Sequence, residues 1–399
     1  MGERRSKYTR REFIQIGLGV AAGAPLVLSS ACGGSPSQTV TPPDNTPPRA
    51  DAKVAIVRCT TYGSEVQTSL SQAFDLLTGI PQLVRGKVVT VKVNLTMGGT
   101  FPDLFGRPAT ESYITHGATA IALATLLLSY GASKVRFVDS VGVAQPMSQV
   151  LTMAGWDVPT LLGLGNVELE NTRNLGSGTQ YGQLNVSGGG YLFSYFKVNH
   201  CYSDTDVFVS LAKLKQHLTA GVTLTTKNVF GMTPNSLYGA DAPSEDGLPN
   251  RLKLMHGQGI SGWGSAPPPG AKTSIDPGND PSARIPRIVA DVAAARPIHL
   301  AIIDGITSMS GGEGPWATNT APISPGLLIA GLNPISTDAV GTAVMGYSNP
   351  RATRGTQPFQ TSDNHLLLAE SAGVGSADLS KIGVLGLTID QAKCPYPRL

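Results

Sequence analysis

Residues 206–217 have the sequence DVFVSLAKLKQH, and this stretch determines the predicted fold class. Its first part is nearly continuous in apolar residues rather than alternating, which is typical of a strand covered on both faces. Similar short runs, rich in β-branched residues and bounded by turn residues, occur at 53–59, 87–95, 134–140, 299–305, 326–332 and 381–387. The sequence therefore predicts a sheet that is largely buried.

Helical patterns lie between these strands. Apolar residues recur every three or four positions at 112–132, 282–297 and 336–347. The first pattern ends at Gly131, where glycine favours a helix C-terminus, and Ser336 or Thr337 is a candidate N-cap for the third. Strands that alternate with helices predict an α/β fold with a largely parallel or mixed sheet flanked by helices.

Two segments depart from this alternation. Residues 158–205 are rich in Gly, Asn and Ser and contain short alternating pieces, which predicts a β-rich excursion. Residues 233–283 include APPPGA and DPGNDPSA and show almost no periodicity. We expect this second segment to be a long irregular insertion, and connections of that length in a compact domain are usually functional or disordered.

The first 32 residues indicate an export signal. A basic start precedes an apolar run at 14–28 that is too short and too rich in Gly and Ala to span a bilayer comfortably. Residues 9–15, TRREFIQ, resemble the twin-arginine (Tat) motif, an address that a receptor recognises. We therefore expect residues 1–32 to be a signal peptide and the Tat export machinery to be a partner.

The end of this signal resembles a lipoprotein box. Cys32 follows Ser29-Ser30-Ala31, although Ser29 stands where a large aliphatic residue is preferred. The sequence predicts lipidation of Cys32, with simple cleavage nearby as the alternative. Residues 33–51, rich in Ser, Thr and Pro, then form a semi-extended tether before a domain at 52–390. The expected location is the periplasm or the outer face of the membrane, with a lipid anchor.

Composition and cysteine spacing exclude several classes of protein. Charged residues make up 14% of the chain and the net charge is +3, so no nucleic-acid-binding surface is indicated. Apart from Cys32, the cysteines are Cys59, Cys201 and Cys394, and none forms a CxxC pair. A zinc ribbon and an iron–sulfur cluster are not expected. One disulfide is possible, but the spacing does not select it.

The candidate site residues follow the predicted strands, because ligands of open α/β sheets bind beyond the carboxyl ends of strands. If the strand at 206–217 extends through Gln216, then Lys213, Lys215 and His217 share one face. Such crowding of cations lowers pKa values and suits general acid/base chemistry. The alternative is that Lys215 points to solvent and His217 caps a turn. Lys92 and Asn94 end another strand, and Lys227 with Asn228 pairs a cation with a hydrogen-bonding amide.

Asp304 ends the apolar strand LAIIDG at 299–305, where it could ligate a metal, accept a proton or cap a turn. The GGEGP loop that follows contains Gly312 and Gly314, whose N–H groups could bind an anion, although a plain turn is the alternative. His256 is the histidine of the irregular segment, and with His217 and Asp304 it could bind a divalent metal.

Other candidates are predicted to be structural. Asp338 lies in a predicted first helical turn, where a carboxylate interacts favourably with the helix dipole. His116, His200, His299 and His365 have no supporting pattern. No GxSxG, P-loop, HExxH or GxGxxG after a strand is present, which removes the main sequence support for serine hydrolases, nucleotide-binding enzymes and zincins.

The order of these motifs resembles an uncharacterised family labelled DUF362 over about residues 52–390. The resemblance rests on KVNL (92–95), LAKLKQHLTAGVTLTTKNVFGM (211–232), His256 after Arg251, IIDGITSMSGGEGP (302–315) and LNPISTDAVG (332–341). It implies a shared site made of Lys92, Asn94, Lys213, Lys215, His217, Lys227, Asn228, Gly231, His256, Asp304, Gly312, Gly314, Pro315 and Asp338. Some members carry ferredoxin-like cysteine clusters that this chain lacks, and Gln216 stands where a small hydroxyl residue is frequent.

Three functions are compatible with these residues. The first is an exported enzyme acting on a small anion, a carboxylate or phosphate. His217, Lys213, Lys227 and Asp304 would be catalytic, and Lys92, Asn94, Lys215, Asn228, Gly312 and Gly314 would bind substrate. His217, His256 and Asp304 would hold a divalent metal if one takes part. The second is a lipoprotein that captures the same anion without catalysis, and the third is a structural or assembly factor.

Overall fold

The computed structural model describes residues 52–96, 99–240, 242–247 and 251–399. The predicted signal peptide at 1–32, its Cys32 and the tether at 33–51 lie outside the described residues. Within the described ranges, no helix is both long enough and apolar enough to cross a bilayer.

Fourteen strands are present in the described ranges. They are β1 (Ala52–Arg58), β2 (Val88–Lys92), β3 (Lys134–Asp139), β4 (Val167–Asn171), β5 (Gly182–Asn185), β6 (Tyr195–Val198), β7 (Val207–Lys213), β8 (Gln216–His217), β9 (Gly221–Val222), β10 (Leu300–Gly305), β11 (Ser308–Ser310), β12 (Ala321–Ile323), β13 (Leu327–Gly331) and β14 (Ile382–Gly386).

Twelve α-helices accompany them in the same ranges. They are α1 (Glu65–Leu77), α2 (Ile80–Val84), α3 (Gly117–Ser129), α4 (Met147–Met153), α5 (Val158–Gly163), α6 (His200–Ser203), α7 (Leu224–Asn228), α8 (Asn235–Tyr238), α9 (Pro281–Ala295), α10 (Pro334–Val344), α11 (His365–Ser371) and α12 (Ile389–Ala392). Single 3₁₀ turns occur at Ala109–Glu111, Ser187–Gly189, Val229–Met232 and Leu379–Lys381.

Eight strands form the main sheet in the order β14-β1-β13-β10-β7-β2-β3-β4. The five strands β10, β7, β2, β3 and β4 are parallel to one another. Strand β13 runs antiparallel to both β10 and β1, and β14 is parallel to β1. The predicted α/β fold with a largely parallel or mixed sheet is therefore confirmed.

Helices cover both faces of this sheet, which explains the nearly continuous apolar strands. Leu211 of β7 packs in a core with Phe74 of α1 and Leu123 of α3. Phe208, which points to the opposite face of β7, packs in a second core with Val289 of α9. Alternation along β7 thus directs successive side chains to one or the other of the two cores.

The helix ends follow from capping chemistry. Helix α3 begins at Gly117 because His116 caps it, its Nδ1 accepting from the backbone N–H of Ala118 at 3.0 Å. It stops before Gly131, whose φ of +91° favours glycine, as the sequence predicts. Ser336 and Thr337 are not the N-cap of α10. Asn333 caps that helix by accepting from Ser336 N at 2.9 Å.

The two departures from α/β alternation differ in character. Residues 158–205 contain β4, β5 and β6 but also the short helices α5 and α6, and β4 is the edge strand of the main sheet. In the described part of 233–283, regular structure is limited to α8, the start of α9 and the bridge of Ala271 to Phe193. The irregular insertion is confirmed.

Candidate functional site

Charged side chains lie at the carboxyl end of four adjacent parallel strands. Lys92 ends β2, Asp139 ends β3, Lys213 ends β7, and Asp304 precedes the last residue of β10. Because β10, β7, β2 and β3 are consecutive in the sheet, these residues lie along one edge. This edge is where ligands of open α/β sheets bind.

The single row predicted for Lys213, Lys215 and His217 is wrong. Strand β7 ends at Lys213, and Gln216 with His217 forms a separate short strand, β8, that pairs with β9. The three side chains therefore have different partners. Strand β10, the neighbour of β7 there, ends one residue later in register, at Gly305.

Lys213 and Asp304 form a fully buried ion pair, with 3.1 Å between Nζ and Oδ2. The ammonium also donates to Tyr62 Oη at 2.5 Å. Asp304 accepts further hydrogen bonds from Tyr62 Oη at 3.0 Å, Thr119 Oγ1 at 3.2 Å and the backbone N–H of Ile306 at 3.1 Å. The carboxylate thus has four donors and resembles a structural anchor more than an open metal ligand.

Tyr62 and His116 extend this pair, and sequence reasoning missed both. Their rings stack at 3.6 Å with 6° between the planes. Burial, followed by the charge of Lys213, lowers the pKa of His116 to about 4, so its imidazole is neutral at physiological pH. Tyr62 follows β1, whose carboxyl end lies at the same edge. A search of every strand end would therefore have found it.

Lys92 leads a second group on the opposite face of the sheet from Lys213. Its Nζ lies 2.7 Å from Asp139 Oδ1 and 3.4 Å from Asn228 Oδ1. Asn94 donates from Nδ2 to the same Asn228 oxygen at 3.2 Å, while its own Oδ1 has no donor among the described residues. Burial lowers the pKa of Lys92, and the charge of Asp139 opposes that shift.

Gly231 and Arg251 close this second group. A Cβ on Gly231 would lie 2.9 Å from Lys92 Nζ and 3.2 Å from Asp139 Oδ1, so a larger residue there would push the ion pair apart. Arg251 donates to the carbonyls of Gly231 at 3.2 Å and Ser140 at 3.1 Å. The implied importance of Gly231 therefore has a steric explanation.

Lys215 lies among the charged groups. Its Nζ donates to the carbonyls of Tyr113 at 2.5 Å and Glu313 at 2.8 Å, and to Thr96 Oγ1 at 3.2 Å. Its pKa is lowered to about 7, chiefly by burial. The charge of Glu313 opposes this shift, and the charge of Lys227 adds to it. The predicted lowering of lysine pKa is therefore present, but burial is the main cause and crowding is secondary.

His217 lies against Glu313. Its Nδ1 is 3.8 Å from Glu313 Oε2 and accepts from the backbone N–H of Thr219 at 3.2 Å. Burial lowers its pKa well below the ordinary value, and the charges of Lys227 and Lys215 lower it further. A neutral imidazole that accepts at Nδ1 carries its proton on Nε2, and no described residue bonds to that nitrogen.

Lys227 differs from the other lysines of the site. Its Nζ lies over the ring of Phe230, 4.4 Å from the centroid, and no residue in the described part of the chain accepts a hydrogen bond from it. Burial lowers its pKa to about 8, Glu313 raises it, and Arg251 and Lys92 lower it. It is therefore a partly exposed ammonium that contacts Phe230 and has no hydrogen-bond acceptor among the described residues.

The predicted metal set is not assembled. The Nδ1–H of His256 donates to the carbonyl of Arg251 at 2.9 Å, and the ring packs edge-on against Phe230. Asp304 belongs to the Lys213 group on the other face of the sheet. In the described residues, His217, His256 and Asp304 do not form a group with ligand atoms within 4.8 Å of one another.

The glycines of the GGEGP loop serve packing. A Cβ on Gly312 would lie 2.4 Å from Ala317 Cβ, and one on Gly314 would lie 2.4 Å from the indole of Trp316. The neighbouring Gly311 N–H donates to Gln216 Oε1 at 2.6 Å. The loop therefore folds tightly on itself, and anion binding by the N–H groups of Gly312 and Gly314 stays a prediction.

Asp338 has the structural role predicted for it but acts on another helix. It accepts from the backbone N–H groups of Thr225 and Thr226, each at 2.8 Å, and from both hydroxyls. Its carboxylate thereby holds the first turn of α7, the helix that carries Lys227.

Comparison with protein families decides the relationship of this chain. Residues 89–343, more than half of the chain, match DUF362, a domain of unknown function. The chain belongs to the DUF362 family. The matched range includes every residue from Lys92 to Asp338 that the resemblance implied for the site. No match was found among curated proteins.

Two solved structures have a low similarity to this DUF362 protein. The lactate racemase apoprotein from Thermoanaerobacterium thermosaccharolyticum is 11% identical, with a TM-score of 0.35, over 68% of this chain and 54% of its own. A Thermotoga maritima protein from a structural genomics consortium is 13% identical, with a TM-score of 0.35, over 66% and 54%. The chain spans about half the length of either protein.

Cys59, Cys201 and Cys394 are free thiols. Cys59 and Cys201 are buried and Cys394 is partly buried. Burial is the first cause that raises the pKa of Cys59 to about 11. The disulfide that the spacing left open is not formed among these three residues.

Proposed function

We propose that this DUF362 domain binds a small anionic molecule, a carboxylate or a phosphate, at Lys227 and acts on it as an enzyme. The observation that carries the proposal is the ammonium of Lys227, which is recessed and lacks a hydrogen-bond acceptor among the described residues. The Lys227 side chain is partly exposed, so a ligand can reach the ammonium and supply the missing acceptor.

The charges around Lys227 favour an anion as that ligand. Lys92 and Arg251 both lower its pKa, so positive potential accumulates there. Glu313 is the nearby acid, but its Oε2 accepts from Leu218 N at 2.9 Å and its Oε1 from Trp316 Nε1 at 2.8 Å. An incoming carboxylate or phosphate would supply the acceptor and restore the ordinary pKa of the lysine.

His217 supplies a second contact in this proposal. Its Nε2–H is unused by the described residues, and after burial the charge of Lys227 is the next cause of its lowered pKa. A neutral imidazole can donate this proton to a developing negative charge and recover it later, which is general acid/base chemistry. Lys227 would hold the anion while His217 handles the proton.

The other lysines position the site in this scheme. The three acceptors around Lys215 use all three N–H bonds of an ammonium, so it contributes charge and holds the loop of Glu313. Lys213 is occupied by Tyr62 and Asp304. We therefore assign Lys213 and Asp304 to positioning of the strand ends, and no step of the proposed chemistry requires a metal.

Calorimetry with sulfate, inorganic phosphate and acetate tests the anion site. We expect the wild type to bind at least one of these anions, and Lys227→Met to bind it at least about tenfold more weakly because a charge-assisted contact is lost. Lys253→Met is the matched control, since Lys253 is exposed, and should bind as the wild type does. Equal binding by Lys227→Met and wild type would reject the site.

Turnover separates an enzyme from a capture protein. Incubation with a panel of hydroxy acids, amino acids and phosphate esters, followed by mass spectrometry and proton-exchange NMR, should identify a substrate. His217→Asn should then keep binding but lose turnover. Tight binding of an anion with no turnover across the panel would favour the non-catalytic lipoprotein.

We further propose that the chain is exported by the Tat pathway and anchored through Cys32. The support is the TRREFIQ motif at 9–15 and the lipoprotein-like box at 29–34. In the native host, Arg10→Lys with Arg11→Lys should leave the protein in the cytoplasm, and Cys32→Ala should abolish labelling by a palmitate analogue. Unlabelled wild-type protein with a free mature N-terminus would contradict the anchor.

A further inference from the structure

Three metal-ligating side chains of different kinds converge away from the Lys227 site. Glu170 lies on the edge strand β4, and His200 and Cys201 form the first turn of α6. His200 Nε2 is 2.9 Å from Glu170 Oε1 and 3.7 Å from Cys201 Sγ. In the described ranges, no other group of at least three His, Cys, Asp or Glu residues brings its ligand atoms within 4.8 Å of one another.

His200 is oriented as metal-binding histidines are. Its Nδ1 is 3.0 Å from Asp204 Oδ2, so the ring presents Nε2 to Glu170 and Cys201. A carboxylate on the far nitrogen is the usual outer contact of a metal-bound imidazole, because it fixes the tautomer and raises the basicity of the ligand.

Glu170 and Cys201 are also held in place by neighbours. Ser177 Oγ donates to Glu170 Oε2 at 2.6 Å, and Asn199 Nδ2 donates to Oε1 at 2.9 Å. Asn199 caps α6 by accepting from the backbone N–H of Cys201 at 2.8 Å. One asparagine thus fixes the carboxylate and the start of the helix that carries both other ligands.

The spacing of the donor atoms suits a tetrahedral ion. Bonds of about 2.0–2.1 Å to N and O and about 2.3 Å to S place neighbouring ligands about 3.3–3.6 Å apart. The 3.7 Å between His200 Nε2 and Cys201 Sγ is close to that range, whereas the 2.9 Å between Nε2 and Glu170 Oε1 is a hydrogen-bond distance that metal binding would widen by about 0.4 Å. The His200 side chain is 22% exposed and that of Glu170 is 7% exposed, so solvent can reach the group on the His200 side. Water or Ser177 Oγ, 3.2 Å from Nε2, could complete the shell.

We propose that Glu170, His200 and Cys201 bind a borderline divalent transition-metal ion, with Zn²⁺ as the best fit. A set of one imidazole, one thiolate and one carboxylate suits Zn²⁺ or Co²⁺ and is unsuited to Mg²⁺ or Ca²⁺, which require oxygen ligands. Binding would displace the thiol proton of Cys201 and the proton shared by His200 and Glu170. The alternative is a metal-free ion pair in which an imidazolium bridges Glu170 and Asp204 and Cys201 takes no part.

Cobalt titration of the metal-depleted mature chain distinguishes these two arrangements. We expect one equivalent of Co²⁺ to produce visible d–d bands and a thiolate-to-cobalt charge-transfer band near 300–350 nm, as borderline metals bound by cysteine do. Cys201→Ala should lose that band and weaken binding by more than about 100-fold. Cys394→Ala is the matched control and should retain both.

Three further variants keep the test decisive. Asp204→Asn should weaken cobalt binding by about 10–100-fold while the band persists, because only the outer contact of His200 changes. If Cys201→Ala does not fold, Cys201→Ser preserves the size and should still lose the thiolate band.

Lys227→Met should bind cobalt as the wild type does, so the proposal of a metal site and the proposal of an anion site can be rejected independently. Absence of a thiolate band in the wild type, or its persistence in Cys201→Ala, would overturn the proposal.

Discussion

Lys213 Nζ and Asp304 Oδ2 lie 3.1 Å apart with both side chains fully buried, although 91 residues separate them in the chain. Strands β7 and β10 are adjacent and parallel, and their register pairs these two residues directly. The pair therefore depends on the order of the strands, and it links the two central strands of the sheet at the edge where the site lies.

Removal of one partner from this pair should be strongly destabilising. Lys213→Met leaves the Asp304 carboxylate buried without its counter-charge, and we expect the free energy of unfolding to fall by about 3–5 kcal/mol. Urea denaturation at pH 7 measures this. The double variant Lys213→Met with Asp304→Leu should recover much of the loss, because no buried charge remains uncompensated.

An exposed ion pair is the control for that experiment. Lys381 and Asp378 lie 3.8 Å apart with the lysine side chain 66% exposed, so Lys381→Met should change stability by less than about 0.5 kcal/mol. If Lys213→Met is as mild as Lys381→Met, the carboxyl of Asp304 is not charged in the folded protein.

Asp338 should be important for stability even though it lies outside the anion contacts. The Asp338 carboxylate accepts four hydrogen bonds from Thr225 and Thr226. In Asp338→Asn an amide NH₂ replaces one of the two oxygens and cannot accept from the two donors that face it. We expect a loss of about 2–3 kcal/mol in thermal or urea unfolding. Asp390→Asn, at an exposed position of α12, should be nearly neutral. A nearly neutral Asp338→Asn would indicate that α7 does not need this anchor.

Gly231 should not tolerate a side chain. In Gly231→Ala the new Cβ would meet Lys92 Nζ at 2.9 Å and Cε at 3.0 Å, and that lysine is buried between Asp139 and Asn228. We expect a destabilisation of about 1–3 kcal/mol by overpacking, measured by urea unfolding. Gly163→Ala, where a Cβ meets nothing within 4 Å, should change stability by less than about 0.5 kcal/mol. Equal effects of the two substitutions would show that Lys92 can move aside.

Much of the fold was predictable because its strands are buried on both faces. The run predicted at 134–140 is strand Lys134–Asp139, and the run at 326–332 is Leu327–Gly331. The direction of β13 was not predictable. A strand that is apolar on both faces has the same pattern whether its neighbours run parallel or antiparallel, so the mixed character of the sheet could be given only as an alternative.

The site was predictable in part, for a related reason. Charged residues that end apolar strands stand out in sequence, which is how Lys92, Lys213 and Asp304 were found. Their partners depend on strand order instead. Tyr62 follows the end of β1, so a search of strand ends would find the residue, but its contact with Lys213 across 151 residues depends on how the strands are arranged. The end of β7 at Lys213 was also missed, because alternation through Gln216 continues in the sequence after pairing in the sheet has stopped.

Anion binding at Lys227 should weaken as the pH rises through about 8. The folded-state pKa of this lysine is lowered from 10.5 to about 8, chiefly by burial, and only the ammonium attracts an anion. With sulfate as the probe, whose charge does not change in this range, the affinity should be nearly constant below pH 7 and fall about tenfold per unit above pH 8.

In the absence of anion, the free energy of unfolding should instead increase with pH. The charged lysine opposes folding, so the wild type should gain stability relative to Lys227→Met as the pH rises from about 8 toward 10.5. For the sulfate measurement, Lys227→Arg is the matched control, because arginine keeps its charge and should bind sulfate equally at pH 7 and pH 9. An affinity of the wild type that does not change over this range would show that another cation holds the anion.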